Sequence, residues 1–114
     1  MDKYEKYVGD MVTALRGEDE SAIGTAFERM GTLALDELLA ELCVWVDEVT
    51  LDRDLDGLIA IASLPLPENP KEFIEAVHRN DVHALHAYSG GDLVKLLASM
   101  LSVIASMQEA NERL

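Results

Sequence analysis

Residues 35–49, LDELLAELCVWVDEV, decide the fold, because their polarity repeats with the period of an α-helix. At about 100° per residue, the apolar side chains fall within an arc of about 160°, and the acidic side chains occupy about 140° opposite. The apolar face consists of Leu35, Leu38, Leu39, Leu42, Cys43, Trp45, Val46 and Val49. Val44 alone lies on the acidic side. We therefore predict a helix that packs one face into a core and exposes carboxylates on the other.

A second long helix is predicted at residues 92–111, where apolar residues cover about half of the helix circumference. The opposite face carries Lys95, Ser99, Ser102 and Ser106, with almost no charge. A surface so weakly polar indicates burial on more than one side, within its own domain or against a second copy of the chain. We predict a homodimer. The predicted interface consists of Leu93, Leu97, Met100, Leu101, Ile104 and Met107.

Two further helices are predicted before residue 35. Apolar side chains recur at three-and-four spacing within residues 2–16, and Gly17 ends that segment. Residues 19–30 carry a similar apolar stripe and end at Gly31. The first third of the sequence therefore consists of two helices joined by a short turn.

Proline and capping signals organise the next part of the sequence. All three prolines lie within SLPLPENP, residues 63–70, and predict an extended connector, because proline removes a backbone donor and disfavours helix before it. Asn69 and Glu72 have the spacing of a capping box for a helix over 70–79. Asp81 is placed to cap the short helix VHALHAY that follows it.

Together these segments predict an all-α fold, a compact bundle of six or seven helices that forms a single domain over residues 1–114. Hydrophobic residues make up 49% of the chain and charged residues 27%, which suffices for a packed core. The length also fits one domain, since domains cluster near about 100 to 150 residues.

An internal duplication is a further hypothesis about this domain. Residues 11–23 align with residues 73–85, and residues 38–46 align with residues 96–104 after a four-residue gap. The repeats would span residues 2–50 and 70–111, joined by the segment 51–69. The alternative is that helices rich in alanine and leucine align by chance.

The chain carries 22 acidic and 9 basic residues, a formal net charge of −13. This charge disfavours direct binding to nucleic acids and to anionic membranes, since both need surface lysine and arginine. The segment 36–56 holds eight carboxylates and one basic residue, Arg53. We predict a docking face for another protein, of the basic class, or a mimic of phosphates on a DNA-binding surface; the alternative is a solvated helix face. The candidate partner-binding residues are Asp36, Glu37, Glu41, Asp47, Glu48, Asp52, Asp54 and Asp56.

The end of this acidic segment resembles the start of a calcium loop. Asp52, Asp54, Asp56 and Gly57 match positions 1, 3, 5 and 6 of the EF-hand pattern, but position 12 is Ser63 instead of a bidentate glutamate. The leucines and isoleucine of this segment repeat at helical spacing. We therefore predict a helix whose first turn carries the aspartates, with a weak cation site as the alternative.

A histidine cluster provides the alternative function, a metal or small-ligand binding protein. His78, His83 and His86 lie within nine residues, and the last two share a helix face. With Asp81 they form a nitrogen and oxygen donor set suited to zinc or nickel. An enzyme that pairs His83 or His86 with Asp81 is a third hypothesis.

Other features favour a non-enzymatic module. Cys43, the single cysteine, lies in an apolar run, where a buried inert thiol is expected. No cofactor is expected. The first ten residues lack an apolar signal segment, and the longest uncharged run, 96–108, is shorter than the roughly 20 residues that span a bilayer. We therefore predict a cytoplasmic interaction or regulatory module with an acidic docking face and an apolar C-terminal helix.

Overall fold

Seven α-helices make up the part of the chain described by the computed structural model, residues 2–114, and these residues form no strand. In chain order they are α1 (Lys3–Arg16), α2 (Glu20–Met30), α3 (Leu35–Thr50), α4 (Leu55–Ile61), α5 (Pro70–His78), α6 (Val82–Tyr88) and α7 (Leu93–Glu112). The predicted all-α bundle is confirmed. Each predicted helix begins and ends within two residues of the observed one, because helical periodicity and capping signals act locally.

Five of the helices begin after an aspartate that caps them. In each, the carboxylate accepts a hydrogen bond from a backbone N–H of the first turn, which has no partner within the helix. The caps and donors are Asp2 with Tyr4 N (2.8 Å), Asp19 with Ala22 N (3.1 Å), Asp54 with Gly57 N (3.1 Å), Asp81 with Ala84 N (3.0 Å) and Asp92 with Lys95 N (3.2 Å). A share of the acidic excess therefore defines helix ends.

The start of α5 differs from the predicted capping box. Asn69 is the residue before the helix, but its backbone is left-handed (φ 50°) and its side chain makes no capping bond. The Glu72 carboxylate accepts a hydrogen bond from the Tyr88 hydroxyl (3.0 Å), so it does not reach back to Asn69. Tyr88 also donates to the Asn69 carbonyl. A tertiary contact with α6 thus replaces the local capping interaction.

The core is built around α3 and α7, which make the most extensive helix–helix contact. Leu38, Leu42 and Val46 of α3 are fully buried. Helix α1 packs on α7, and α5 packs on α3, so each long helix has a second helix beside it. The central pair thereby connects the two ends of the chain.

The predicted homodimer interface is not a free surface, which corrects the prediction. Five of its six side chains have 0% exposure in the core of their own chain, and the sixth, Leu93, is half-buried against that core. The weakly polar side of α7 is covered only in part: the Ser106 hydroxyl contacts the carbonyls of Leu64 and Pro65 at 3.1 and 3.0 Å, whereas Lys95 is exposed and Ser99 and Ser102 are half-buried. Burial within its own domain accounts for the apolar side of α7, and a homodimer through another surface stays a prediction.

Within residues 2–114, α7 is the one helix whose length and composition would let it cross a bilayer. The core helix of a folded domain meets the same criterion. Here the apolar side chains of α7 lie in the core.

The turn between α1 and α2 has the same hydrogen bonds as the turn between α5 and α6. Glu18 and Asn80, 62 residues apart, both have left-handed backbones, with φ of 53° and 57°. In the first turn, the N–H groups of Gly17, Glu18 and Asp19 donate to the carbonyls of Thr13, Leu15 and Ala14, respectively. In the second turn, the N–H groups of Arg79, Asn80 and Asp81 donate to the carbonyls of Glu75, Val77 and Ala76, at the same relative positions. This agreement supports the duplication hypothesis, which stays a prediction.

Replacing Leu42 by alanine should lower the free energy of unfolding by about 2–5 kcal/mol, because it opens a cavity at the fully buried α3–α7 contact. Val44→Ala on the same helix is the control. Val44 is 52% exposed, so this change should cost less than about 0.5 kcal/mol. Urea denaturation measures both values, and equal losses for the two variants would contradict the described core.

Removing the cap of α2 or α6, by Asp19→Ala or Asp81→Ala, should destabilise the protein by about 1 kcal/mol in each case. Asp19→Asn and Asp81→Asn separate the hydrogen bond from the charge, because asparagine caps a helix as well as aspartate does. Thermal unfolding should show little change for the asparagine variants. A loss as large as that of the alanine variants would mean that charge, and not capping, is responsible.

Candidate functional site

A groove lies between α1 and α3, which run in the same direction. The Tyr4 hydroxyl accepts a hydrogen bond from the Ala34 N–H (3.3 Å) at the start of α3. Ala34 precedes α3 without offering a capping side chain, so this contact joins the first turns of the two helices. Farther along, Gly9 of α1 lies against the indole ring of Trp45. The two helices therefore stay side by side over several turns.

Two separate, shallow concavities lie at the contact of these helices. The first, of about 440 Å³, is lined by Asp2, Tyr4, Glu37, Ala40, Glu41 and Val44. The second, of about 360 Å³, is lined by Glu5, Lys6, Gly9, Asp10, Thr13 and Trp45. We call these residues together the α1–α3 groove. The apolar part of its floor consists of Ala40 and Val44 at one end and Trp45 at the other, and at helical spacing Glu37 and Glu41 lie between Val44 and Trp45 on the surface of α3.

The apolar floor originates from the residue that did not fit the sequence pattern of α3. Val44 is 52% exposed, one of the most exposed large apolar side chains in residues 2–114. Ala40 lies one turn before it on the same exposed side. Gly9 carries no side chain, so the Trp45 ring borders open space above α1. Single exposed apolar residues are common, but here they line a concave surface between two helices.

The carboxylates of the groove differ in their partners. Asp10 is paired with Lys6 (3.1 Å) and Arg29 (3.4 Å), and the hydrogen bond from Lys6 holds the pKa of Asp10 below its ordinary value. Glu37 and Glu41 form no ion pair within residues 2–114. The Glu37 carboxylate beside the Tyr4 hydroxyl raises the pKa of Tyr4, because it favours the protonated hydroxyl and repels the phenolate.

The eight predicted partner-binding carboxylates fall into three groups in the structure. Glu37 and Glu41 line the groove, and the exposed Glu48 continues their side of α3. Asp36 and Asp47 lie on the other edge of the exposed surface of α3, across Ala40 and Val44. The third group, Asp52, Asp54 and Asp56, lies at the turn into α4.

The third group has structural partners, and the predicted helix reading of this segment is confirmed. Asp54 caps α4, and Asp56 forms an ion pair with Lys71 of α5 (3.2 Å). Asp52 lies in the turn with a left-handed backbone (φ 58°). The regular helix from Leu55 onward excludes the calcium-loop conformation, because a loop must wrap around its ion.

The histidines do not converge, which corrects the metal-site prediction. His78 lies at the end of α5, where its Nε2 is 2.7 Å from the Thr50 hydroxyl and 3.9 Å from Asp47. His83 is exposed and His86 is half-buried on α6. No group of three His, Cys, Asp or Glu side chains among the described residues 2–114 is arranged to hold a metal ion. Spacing along a helix did not reveal that His78 turns toward α3.

Other polar groups of the chain are engaged in the fold. Asp81, the proposed partner of a catalytic histidine, caps α6 with its carboxylate. Burial raises the pKa of the Cys43 thiol, which disfavours the reactive thiolate. The cleft of about 550 Å³ beside the end of α1 contains Arg16, which binds the Glu112 carboxylate through both terminal nitrogens and lowers its pKa.

Sequence reasoning missed the α1 side of the groove, formed by Asp2, Tyr4, Glu5 and Gly9. Gly9, in the middle of an amphipathic helix, was the available signal, since glycine costs about 1 kcal/mol there relative to alanine. The chain matches no known protein family, curated protein or solved structure. The groove is therefore interpreted from its own geometry and charge.

The substitution Glu37→Gln should lower the pKa of Tyr4 toward its ordinary value of 10.0, because it removes the negative charge beside the hydroxyl. Carbon-13 NMR of the tyrosine rings during a pH titration measures this shift. Tyr88 is the internal control, since burial is the main cause of its raised pKa and Glu72 is its charged neighbour. A Tyr4 pKa that does not respond to the substitution would contradict the described contact.

Proposed function

We propose that this protein is a non-enzymatic interaction module that binds a basic segment of a partner protein in the α1–α3 groove. The observation that carries the proposal is the exposed apolar floor at Val44, bordered by the carboxylates of Glu37 and Glu41, which have no ion-pair partner within residues 2–114. A lysine or arginine side chain matches such a surface, since its long stem covers apolar atoms while its charge meets the carboxylates.

The two long helices carry different charges at corresponding positions, and this difference supports the proposal. Leu38 and Leu96, 58 residues apart, are both fully buried at corresponding positions of α3 and α7. At the same spacing, Glu37 corresponds to Lys95 and Glu41 corresponds to Ser99. The helix pattern alone therefore does not require carboxylates at these positions. The acidic groove is a property of the first half of the fold.

The net charge of −13 supports a basic partner as well. Long-range attraction accelerates the encounter with a cationic segment, and short-range contacts in the groove then determine its position. An anionic nucleic acid or membrane would meet repulsion at the same surface. The proposal therefore assigns the partner to the class of basic proteins.

Removing the two groove charges by Glu37→Gln and Glu41→Gln should weaken binding of a fluorescent lysine- and leucine-containing peptide about tenfold, because each cationic contact loses its partner. The control is Glu28→Gln with Glu68→Gln. It changes the net charge equally at two exposed carboxylates on other elements of the fold, and should change the Kd less than about twofold. Fluorescence anisotropy at low and high salt measures both. Equal weakening by the two double variants would show that binding depends on net charge and would contradict the proposal.

A further inference from the structure

A cavity of about 320 Å³ lies between the proline-containing connector and helices α5, α6 and α7, and shares no lining residue with the α1–α3 groove. Its volume is at the lower end of the range for small-molecule sites, about 300–1,000 Å³. We call it the connector cavity. Its lining includes Pro67, Glu68, Phe73, Tyr88, Lys95 and Leu96.

Contacts within the fold hold the connector cavity open in a defined shape. The ring of Tyr88 meets the ring of Phe73 edge to face, with centroids 5.3 Å apart and an angle of 86° between the planes. The Tyr88 hydroxyl also contacts the Asn69 carbonyl (3.3 Å) and the Glu72 carboxylate (3.0 Å). These contacts join the connector, α5 and α6, so the cavity is formed before any ligand enters it.

The polarity of the connector cavity changes with depth. Phe73 and Leu96 have exposures of 1% and 0%, so apolar side chains line its inner part. Glu68 and Lys95 are exposed, so the charged groups lie at its rim. Ser99, one turn after Lys95 on α7, is half-buried. This arrangement matches a small amphipathic molecule, whose apolar part is enclosed while its charged groups stay near water.

The two charges at the rim have opposite signs. Glu68 of the connector and Lys95 of α7 form no ion pair within residues 2–114, either with each other or with another residue. An anionic ligand would meet the Glu68 carboxylate and the net charge of −13, and a cationic ligand would meet the Lys95 ammonium. A zwitterion can place one charge against each side chain and carries no net charge.

We propose that the connector cavity binds a free α-amino acid with an apolar side chain. The carboxylate of the ligand contacts Lys95, its ammonium group contacts Glu68, and its side chain lies against Phe73 and Leu96. The inference does not rest on the proposed function, because the two surfaces share no residue. It adds a small-molecule site on the side of the fold formed by the connector and α5, α6 and α7.

Titration of nitrogen-15 labelled protein with L-phenylalanine, followed by NMR, tests the proposal. Three analogues each lack one feature of the ligand: glycine lacks the side chain, phenylpropanoate lacks the ammonium group, and phenethylamine lacks the carboxylate. L-Phenylalanine should bind at least about threefold more tightly than each analogue, since each loses one contact. Absence of saturable shifts with L-phenylalanine, or equal affinity for any analogue, would overturn the inference.

Charge substitutions at the rim locate the binding. Lys95→Gln and Glu68→Gln should each weaken L-phenylalanine binding about threefold, because single exposed ion pairs are weak. Lys3→Gln and Glu28→Gln are the matched controls, since they remove the same charges at exposed positions of α1 and α2. The controls should leave the Kd unchanged. Equal effects at the rim and at the control positions would overturn the inference.

Filling the connector cavity tests its inner part. Ser99→Leu adds a side chain at a lining position and should weaken L-phenylalanine binding about tenfold, because it displaces the apolar part of the ligand. Ser102→Leu makes the same change at a half-buried position of α7 outside the cavity, and should leave binding unchanged. Thermal unfolding identifies a variant that fails to fold, in which case the exposed charge variants decide the matter. Unchanged binding by folded Ser99→Leu protein would overturn the inference.

Discussion

The packing of α3 against α7 is the constraint on which the rest of the structure depends. Each helix turns its most apolar face toward the core, because burial of apolar surface is the main force that stabilises a domain of this size. Helix α7 is also covered on part of its weakly polar side, where Ser106 bonds to the connector. Helix α3 is covered on one side only, and its acidic side remains at the surface. The surface available for partners follows from this asymmetry.

The acidic side chains have three different tasks within one fold. Some cap helices, as Asp19 and Asp81 do in corresponding turns. Others pair with the few cations, as Asp56 does with Lys71. A third set, including Glu37 and Glu41, lines the α1–α3 groove and forms no ion pair within residues 2–114. The carboxylates that cap helices or pair with cations have less charge available for another molecule, so the net charge by itself overstates the docking surface.

The helices were predictable from the sequence to a high degree, and the sites were not. The helix from Leu55 was recognised because its apolar spacing contradicted the calcium-loop reading of the aspartates. The prediction of the homodimer interface residues was wrong, because an apolar helix face indicates burial without indicating which chain covers it. The histidine site was wrong because helical spacing places His83 and His86 on one face but does not determine where His78 points.

The sequence by itself determined which segments are helices, where they begin, and that α3 has an apolar and an acidic face. These properties depend on side chains within a few turns of each other, so the local pattern contains them. Only the tertiary structure decided that the apolar side of α7 is buried by its own chain and that α1 lies beside α3. Tyr4 and Glu37 are far apart in the sequence and meet because α2 returns the chain, so that α1 and α3 run in the same direction. The groove therefore exists only in the packed molecule, since its two sides come from segments with no local relation to each other.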